Sequence, residues 1–168
     1  AIVCFQPEKV SLMNYLTEIT KPIIDGNADI VVPARTSDLF KQSYPDYMSE
    51  SELKVNKTYN WLMHRAGILP KDENLDWFFG PVVFRNDPEI VAYFLKEYSL
   101  KSPIRSRVGA QPNPELHSDG HYFPIIEALF NKKRVVGVEI PFIYPQTQRD
   151  NEMSPGIAAQ FQQRRKLD

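Results

Sequence analysis

This chain of 168 residues has one cysteine, Cys4, and seven glycines. A single cysteine can close no intrachain disulfide, and its place inside the opening apolar run Ala1-Ile2-Val3-Cys4-Phe5 leads us to expect a buried thiol. The glycines are scattered, so no phosphate-cradling glycine loop is present, and this chain alone is not expected to bind a nucleotide well. The absence of a Gly-x-Ser-x-Gly elbow excludes a small α/β hydrolase or esterase. No apolar run approaches the roughly 20 residues of a membrane helix, and no basic stretch precedes the opening one, so neither a membrane segment nor a signal peptide is expected. Charge of one sign is also lacking: 20 basic against 21 acidic residues give a formal net charge of -1. That balance gives no reason to expect a nucleic acid or an anionic membrane as partner, and Lys132-Lys133-Arg134 and Arg164-Arg165-Lys166 read as solvated surface. There is no internal repeat or low-complexity tract, and the Asn56-Lys57-Thr58 triplet reads as chance. The protein is expected to be cytoplasmic.

What remains is an ordinary globular composition, 42% hydrophobic and 24% charged, long enough for one core. Ala1–Phe5 reads as a strand buried on both faces, since a continuous apolar run without alternation is the mark of a parallel strand. A helical stretch from Glu8 to Gly26 and a second strand at Ala28–Val32 complete a β-α-β unit, whose functional loop belongs at the carboxyl end of the first strand, at Gln6-Pro7-Glu8. After Pro33 a polar connection leads through Tyr44-Pro45-Asp46-Tyr47 to a helix starting near Ser49 or Ser51 and ending at Gly67. Pro81–Arg85 reads as a strand, Asp87-Pro88-Glu89 as a helix start, Ser99–Ser118 as a long irregular loop, and Ser118-Asp119 as the cap of a further helix. Val135–Phe142 is a strand carrying a central Gly137, and Ile157–Lys166 a terminal helix. The opening strand suggests the middle of a fold rather than its start.

Three pieces stand in a particular order: Gln6-Pro7-Glu8 after a strand, Gly80-Pro81-Val82-Val83-Phe84-Arg85, and Ser118-Asp119-Gly120-His121 followed by Val138-Glu139-Ile140-Pro141. Together with Ala28-Asp29-Ile30-Val31-Val32-Pro33-Ala34-Arg35, this order resembles the second half of a nucleotide-sugar glycosyltransferase of the GT-A fold, family 2-like, close to dolichol-phosphate mannosyltransferases and mannosylglycerate synthases. The resemblance implies an α/β fold with a mainly parallel sheet and flanking helices, lacking its N-terminal nucleotide-binding strands. It covers residues 1–154, with 155–168 a helical tail. It implies transfer of a sugar from a nucleotide-diphosphate sugar to a hydroxyl acceptor, by a hexosyltransferase in the complete protein. A homo-oligomer or an upstream segment is the expected partner. The competing reading is a catalytically silent GT-A-like domain that serves as a binding or assembly module.

The same resemblance assigns the site. Glu8, with Gln6, stands at the Asp-x-Asp position and would hold a divalent cation, Mg²⁺ or Mn²⁺, that neutralises the departing diphosphate. Gln6 replaces a carboxylate there. The alternative is that Gln6-Pro7-Glu8 is only the first turn of the next helix, where Glu8 suits the dipole. Asp119 matches the general base of inverting members, with His121 and His117 as nearby alternatives for proton transfer and His121 also a substrate-binding candidate, against the plainer role of an N-cap. Asp76 and Trp77 stand where a carboxylate and an aromatic plane bind the donor sugar, although Trp77-Phe78-Phe79 also reads as core. Arg85 ends the Phe-Arg strand as a further substrate-binding residue. Arg149 stands where relatives place a basic or metal-binding residue over the diphosphate.

Overall fold

The strands are β1 (Ile2–Cys4), β2 (Ile30–Arg35), β3 (Val82–Phe84) and β4 (Val135–Ile140). They are seen in a computed structural model that describes residues 1–96 and 119–165, with side chains for 1–96 and 122–160. They form one four-stranded sheet in the order β1-β3-β2-β4. β2 and β4 pair in parallel, from Ile30 opposite Val135 to Arg35 opposite Ile140. β3 is antiparallel to both β1 and β2, with Phe84 opposite Ile2 on one side and Ile30 on the other. The sheet is therefore mixed, which corrects the expectation of a mainly parallel one. The chain between α3 (Asp46–Arg65) and β3 is the reason. It passes Gly137 at Asn74 and reaches Arg35 at Asp76, so β3 starts where β2 ends and has to run the other way.

β1 is the second correction. It pairs on one side only, and Cys4 is exposed. None of its three residues is fully buried, so the apolar run marks neither two covered faces nor an interior place in the sheet.

Side chains alternate across the pleat and feed two cores. Ile30, Val32, Val82, Phe84 and Val135 pack on one face with Trp77, Ile90 and Ile125. Val31, Val83 and Ile140 pack on the other with Leu12, Ile19, Phe40 and Phe142. Burying one such aliphatic side chain contributes about 1.5–3 kcal/mol, so the six wholly buried residues of β2 anchor both layers.

The flanking helices follow from local chemistry. The stretch after β1 is a 3-10 helix, Pro7–Tyr15, that continues as α1 (Leu16–Ile24), which turns Ile19 and Ile23 toward the sheet. The polar connection after Pro33 contains a helix, α2 (Ser37–Ser43), and α3 starts at Asp46, before the two serines offered as its cap. Ser49 and Ser51 instead donate their hydroxyls back to the carbonyls of Asp46 and Met48. α4 (Pro88–Leu95) starts as expected, with Asp87 accepting from the Glu89 amide at 3.0 Å, a cap that contributes about 1 kcal/mol. α5 (Asp119–Phe130) precedes β4, and α6 (Gln146–Glu152) and α7 (Pro155–Arg165) close the chain. The expected loop Ser99–Ser118 lies outside the described residues. No helix among the described residues is long and apolar enough to cross a membrane.

At the amino end of β2 the buried Asp29 fastens three strands. Its carboxylate accepts from the Arg134 amide at 2.9 Å and pairs with Arg85 at 2.8 Å, while its carbonyl accepts from the Arg85 amide. Burial would raise the Asp29 carboxyl, but Arg134 and Arg85 hold it below the usual aspartate value.

Candidate functional site

The carboxyl ends of β1, β2 and β4 and the segment entering β3 meet at the other end of the sheet. Arg35 is at the centre. A guanidinium that ends a buried strand must find carboxylates, because an unpaired charge there would be prohibitively costly. It finds two. Its Nε and Nη2 donate to Asp76 at 2.7 and 2.8 Å in a two-pronged pair, and Nη1 donates to Glu52 at 2.9 Å. Its Cζ lies 3.6 Å from the centre of the Phe40 ring, and only 1% of the side chain is exposed. Burial opposes the charges of both partners, yet their mutual hydrogen bonds hold the Arg35 guanidinium above its ordinary value and the Asp76 carboxyl below its own.

Asp76 is thereby spent. Besides Arg35, its Oδ1 accepts from Asn56 at 2.7 Å and its Oδ2 from the Arg35 amide at 3.2 Å. It positions Arg35 and Asn56 rather than offering free oxygens. Trp77 is core: 3% exposed, it donates its indole N–H to Asn60 at 2.9 Å.

Beside this knot lies a cleft of about 310 Å³, lined by Arg35, Ser37, Asn56, Asp72, Glu73, Asp76 and Glu139, with Phe40 and Leu53 as apolar wall. Its rim is set by Gly137. A Cβ there would come within 2.5 Å of the Asn74 carbonyl, and the Gly137 amide donates to Glu73 at 3.1 Å. The mid-strand glycine thus lets the charged loop lie on β4. Asp72 and Glu139 are exposed carboxylates facing solvent, and neither was singled out from sequence. The acidic loop and the Val-Glu-Ile-Pro strand were the available signals.

Gln6 and Glu8 stand at the end of β1. Gln6 caps the 3-10 helix by position, but its side chain makes no capping bond. It packs against Gly80, whose φ of +91 and lack of Cβ leave room for it. Its Oε1 accepts from Lys9 Nζ at 2.8 Å, and that ammonium lies 3.9 Å from Glu8. Lys9 also feels the charges of Arg35, Glu52 and Asp76, so the acidic tip and the knot belong to one neighbourhood. Tyr44, buried under Arg35, stacks at 4.0 Å on Tyr144, which donates to Glu152 at 2.7 Å.

The donor set does not fit Mg²⁺ or Mn²⁺. Such an ion needs several hard oxygen ligands at about 2.0–2.2 Å, and here one oxygen is a neutral amide already taken by an ammonium.

The remaining sequence-derived residues are distributed unevenly. Arg85 is at the opposite end of the sheet, paired with Asp29 and Asp87. Arg149, on α6, donates to the Gln42 carbonyl at 3.1 Å on the surface. Asp119 opens α5, and His121 follows in its first turn; both side chains, and His117, lie outside the described residues. Tyr122, three positions on from Asp119, has its ring 5.5 Å from Phe78 and 6.4 Å from Tyr59, which is one turn from Asn56 on α3. The start of α5 therefore comes close to the segment bearing Asp76. No protein-family model, curated protein or solved structure matches this chain.

Proposed function

We propose that the chain is the sugar-transferring half of a nucleotide-sugar glycosyltransferase of the GT-A fold, acting in the complete protein on a hydroxyl acceptor. The observation that carries this reading is the cleft at the carboxyl end of the sheet, where the carboxylates Asp72, Glu73 and Glu139 line a space of about 310 Å³ beside the Arg35–Asp76 knot and the Leu53 side chain. Sugars present many hydroxyls on one ring and an apolar face, and a few exposed carboxylate acceptors beside an apolar side chain suit both. Asp72 and Glu139 would take donor hydroxyls, the buried Arg35–Asp76–Glu52 knot would hold the cleft wall in place, and Asp119 would take the acceptor's proton.

Saturation-transfer NMR with a panel of nucleotide sugars should show sugar-ring protons receiving more saturation than base protons. Asp72→Asn combined with Glu139→Gln should abolish that contact without altering the melting temperature. In the complete protein, Asp119→Asn should slow transfer by about 10² to 10⁴, as expected when a general base is lost. Absence of sugar contact across the panel would overturn the reading. The second reading, a silent binding module, draws on Asp76, whose oxygens are all used by Arg35 and Asn56. It predicts sugar contact without turnover.

A further inference from the structure

Lys9 lies outside the lining of the cleft but beside the Arg35 knot, its charge met by Glu8 at 3.9 Å and by the more distant Glu52 and Asp76. Its ammonium can donate three hydrogen bonds, and among the described residues it makes one, to Gln6 Oε1 at 2.8 Å. Only 12% of its side chain is exposed, and the Phe79 ring centre lies 5.5 Å from the nitrogen. A cation so far withdrawn from water with donors to spare is poised for an anion that completes its shell. Backbone geometry puts it there: the Lys9 amide bonds the Gln6 carbonyl at 2.9 Å, and the non-helical dihedrals of Lys9 (φ -100, ψ 26) break the 3-10 helix at this residue.

We propose that Lys9 is the built-in cation of this site, taking the place of a divalent metal and binding the diphosphate of the sugar donor. The proposal rests on the glycosyltransferase reading given above. Its central observation is steric and electrostatic. A metal shared by Gln6 and Glu8 would have to sit about 2.0–2.2 Å from their oxygens, in the space Lys9 Nζ fills at 2.8 Å from one and 3.9 Å from the other. Two cations cannot share that position. Glutamine in place of a carboxylate follows from the same arrangement, since an amide oxygen accepts from the ammonium without cancelling its charge.

The test uses inorganic pyrophosphate and the whole chain, by titration calorimetry in EDTA and again with saturating Mn²⁺, with free Mn²⁺ followed by electron paramagnetic resonance. Pyrophosphate should bind equally in both conditions, and the parent should leave the Mn²⁺ signal unchanged. Lys9→Met should weaken pyrophosphate binding by about 10- to 100-fold, the range of a lost charge-assisted bond, and Lys9→Arg should restore most of it. The double variant Gln6→Asp, Lys9→Met should acquire Mn²⁺ binding. Pyrophosphate binding that requires Mn²⁺ in the parent, or that ignores Lys9→Met in a variant with native circular dichroism, overturns the proposal while leaving the glycosyltransferase reading in place. No pyrophosphate binding in either condition overturns the proposal, while sugar contact at the cleft decides the glycosyltransferase reading separately. Should Lys9→Met not fold, the parent's response to Mn²⁺ and the Arg variant still decide.

Discussion

Asp76 separates two kinds of carboxylate in this protein. It is buried and satisfied by Arg35 and Asn56, whereas Asp72 and Glu139 stand at the cleft with solvent beside them. Removing one partner of a buried ion pair leaves the other charge stranded, which typically costs about 3–5 kcal/mol, while a surface carboxylate is usually within about 0.5 kcal/mol of neutral. Asp76→Asn should therefore lower the urea midpoint sharply, and Asp72→Asn or Glu139→Gln should leave it in place; comparable losses for all three would show that the Arg35 pair is not a structural tie. This distinction could not be read from the sequence, because Arg35 and Asp76 are 41 positions apart and nothing local marks them as partners. What the sequence does carry is the demand: a charge at the end of the apolar run Ile30-Val31-Val32-Pro33-Ala34 needs compensation, and only the fold says by whom. Trp77 shows the converse, since an aromatic residue reads alike whether it faces a sugar or, as here, donates to Asn60 inside the core.

At the scale of elements, β2, α4, α5 and β4 are legible because their signals are local: a wholly apolar run, a capping aspartate before a proline, an apolar helical stripe. α2 is hidden. Seven residues between Thr36 and Tyr44 are too few for a helical period to stand out from a polar connection. The direction of β3 is hidden too, being set by how the chain after α3 crosses the sheet. That crossing depends on Gly137, and Gly137→Ala is its direct test. The added methyl would meet the Asn74 carbonyl at 2.5 Å, a backbone atom that cannot rotate away. We expect a loss of about 1–3 kcal/mol, typical of overpacking, with faster amide exchange through residues 70–76 and weaker sugar contact at the cleft. A melting temperature equal to the parent's would mean that the loop lies on β4 without needing the glycine.

For the molecule as a whole, the two ends of the sheet are each held by a buried aspartate that stays charged, Asp29 at one and Asp76 at the other. Both carboxyls sit below their usual value when folded, so their contribution is complete above the unfolded aspartate value of about 3.9 and is lost as pH falls through the folded values. Urea midpoints should be level from pH 7 to about 5 and fall below about 4, and Asn at either position should flatten that fall. A curve of unchanged steepness in both variants would place the acid sensitivity elsewhere. The edge position of β1 reaches further. Three residues paired on one side to a three-residue strand are the first part of the sheet that can let go, and releasing them leaves the β2–β4 ladder whole. Gln6 and Lys9 follow directly on that edge, so any anion they grip would bolt the outermost strand to the rest. Pyrophosphate should then slow deuterium uptake across Ile2–Cys4, making the fraying of one short strand a reporter of occupancy two to seven positions away.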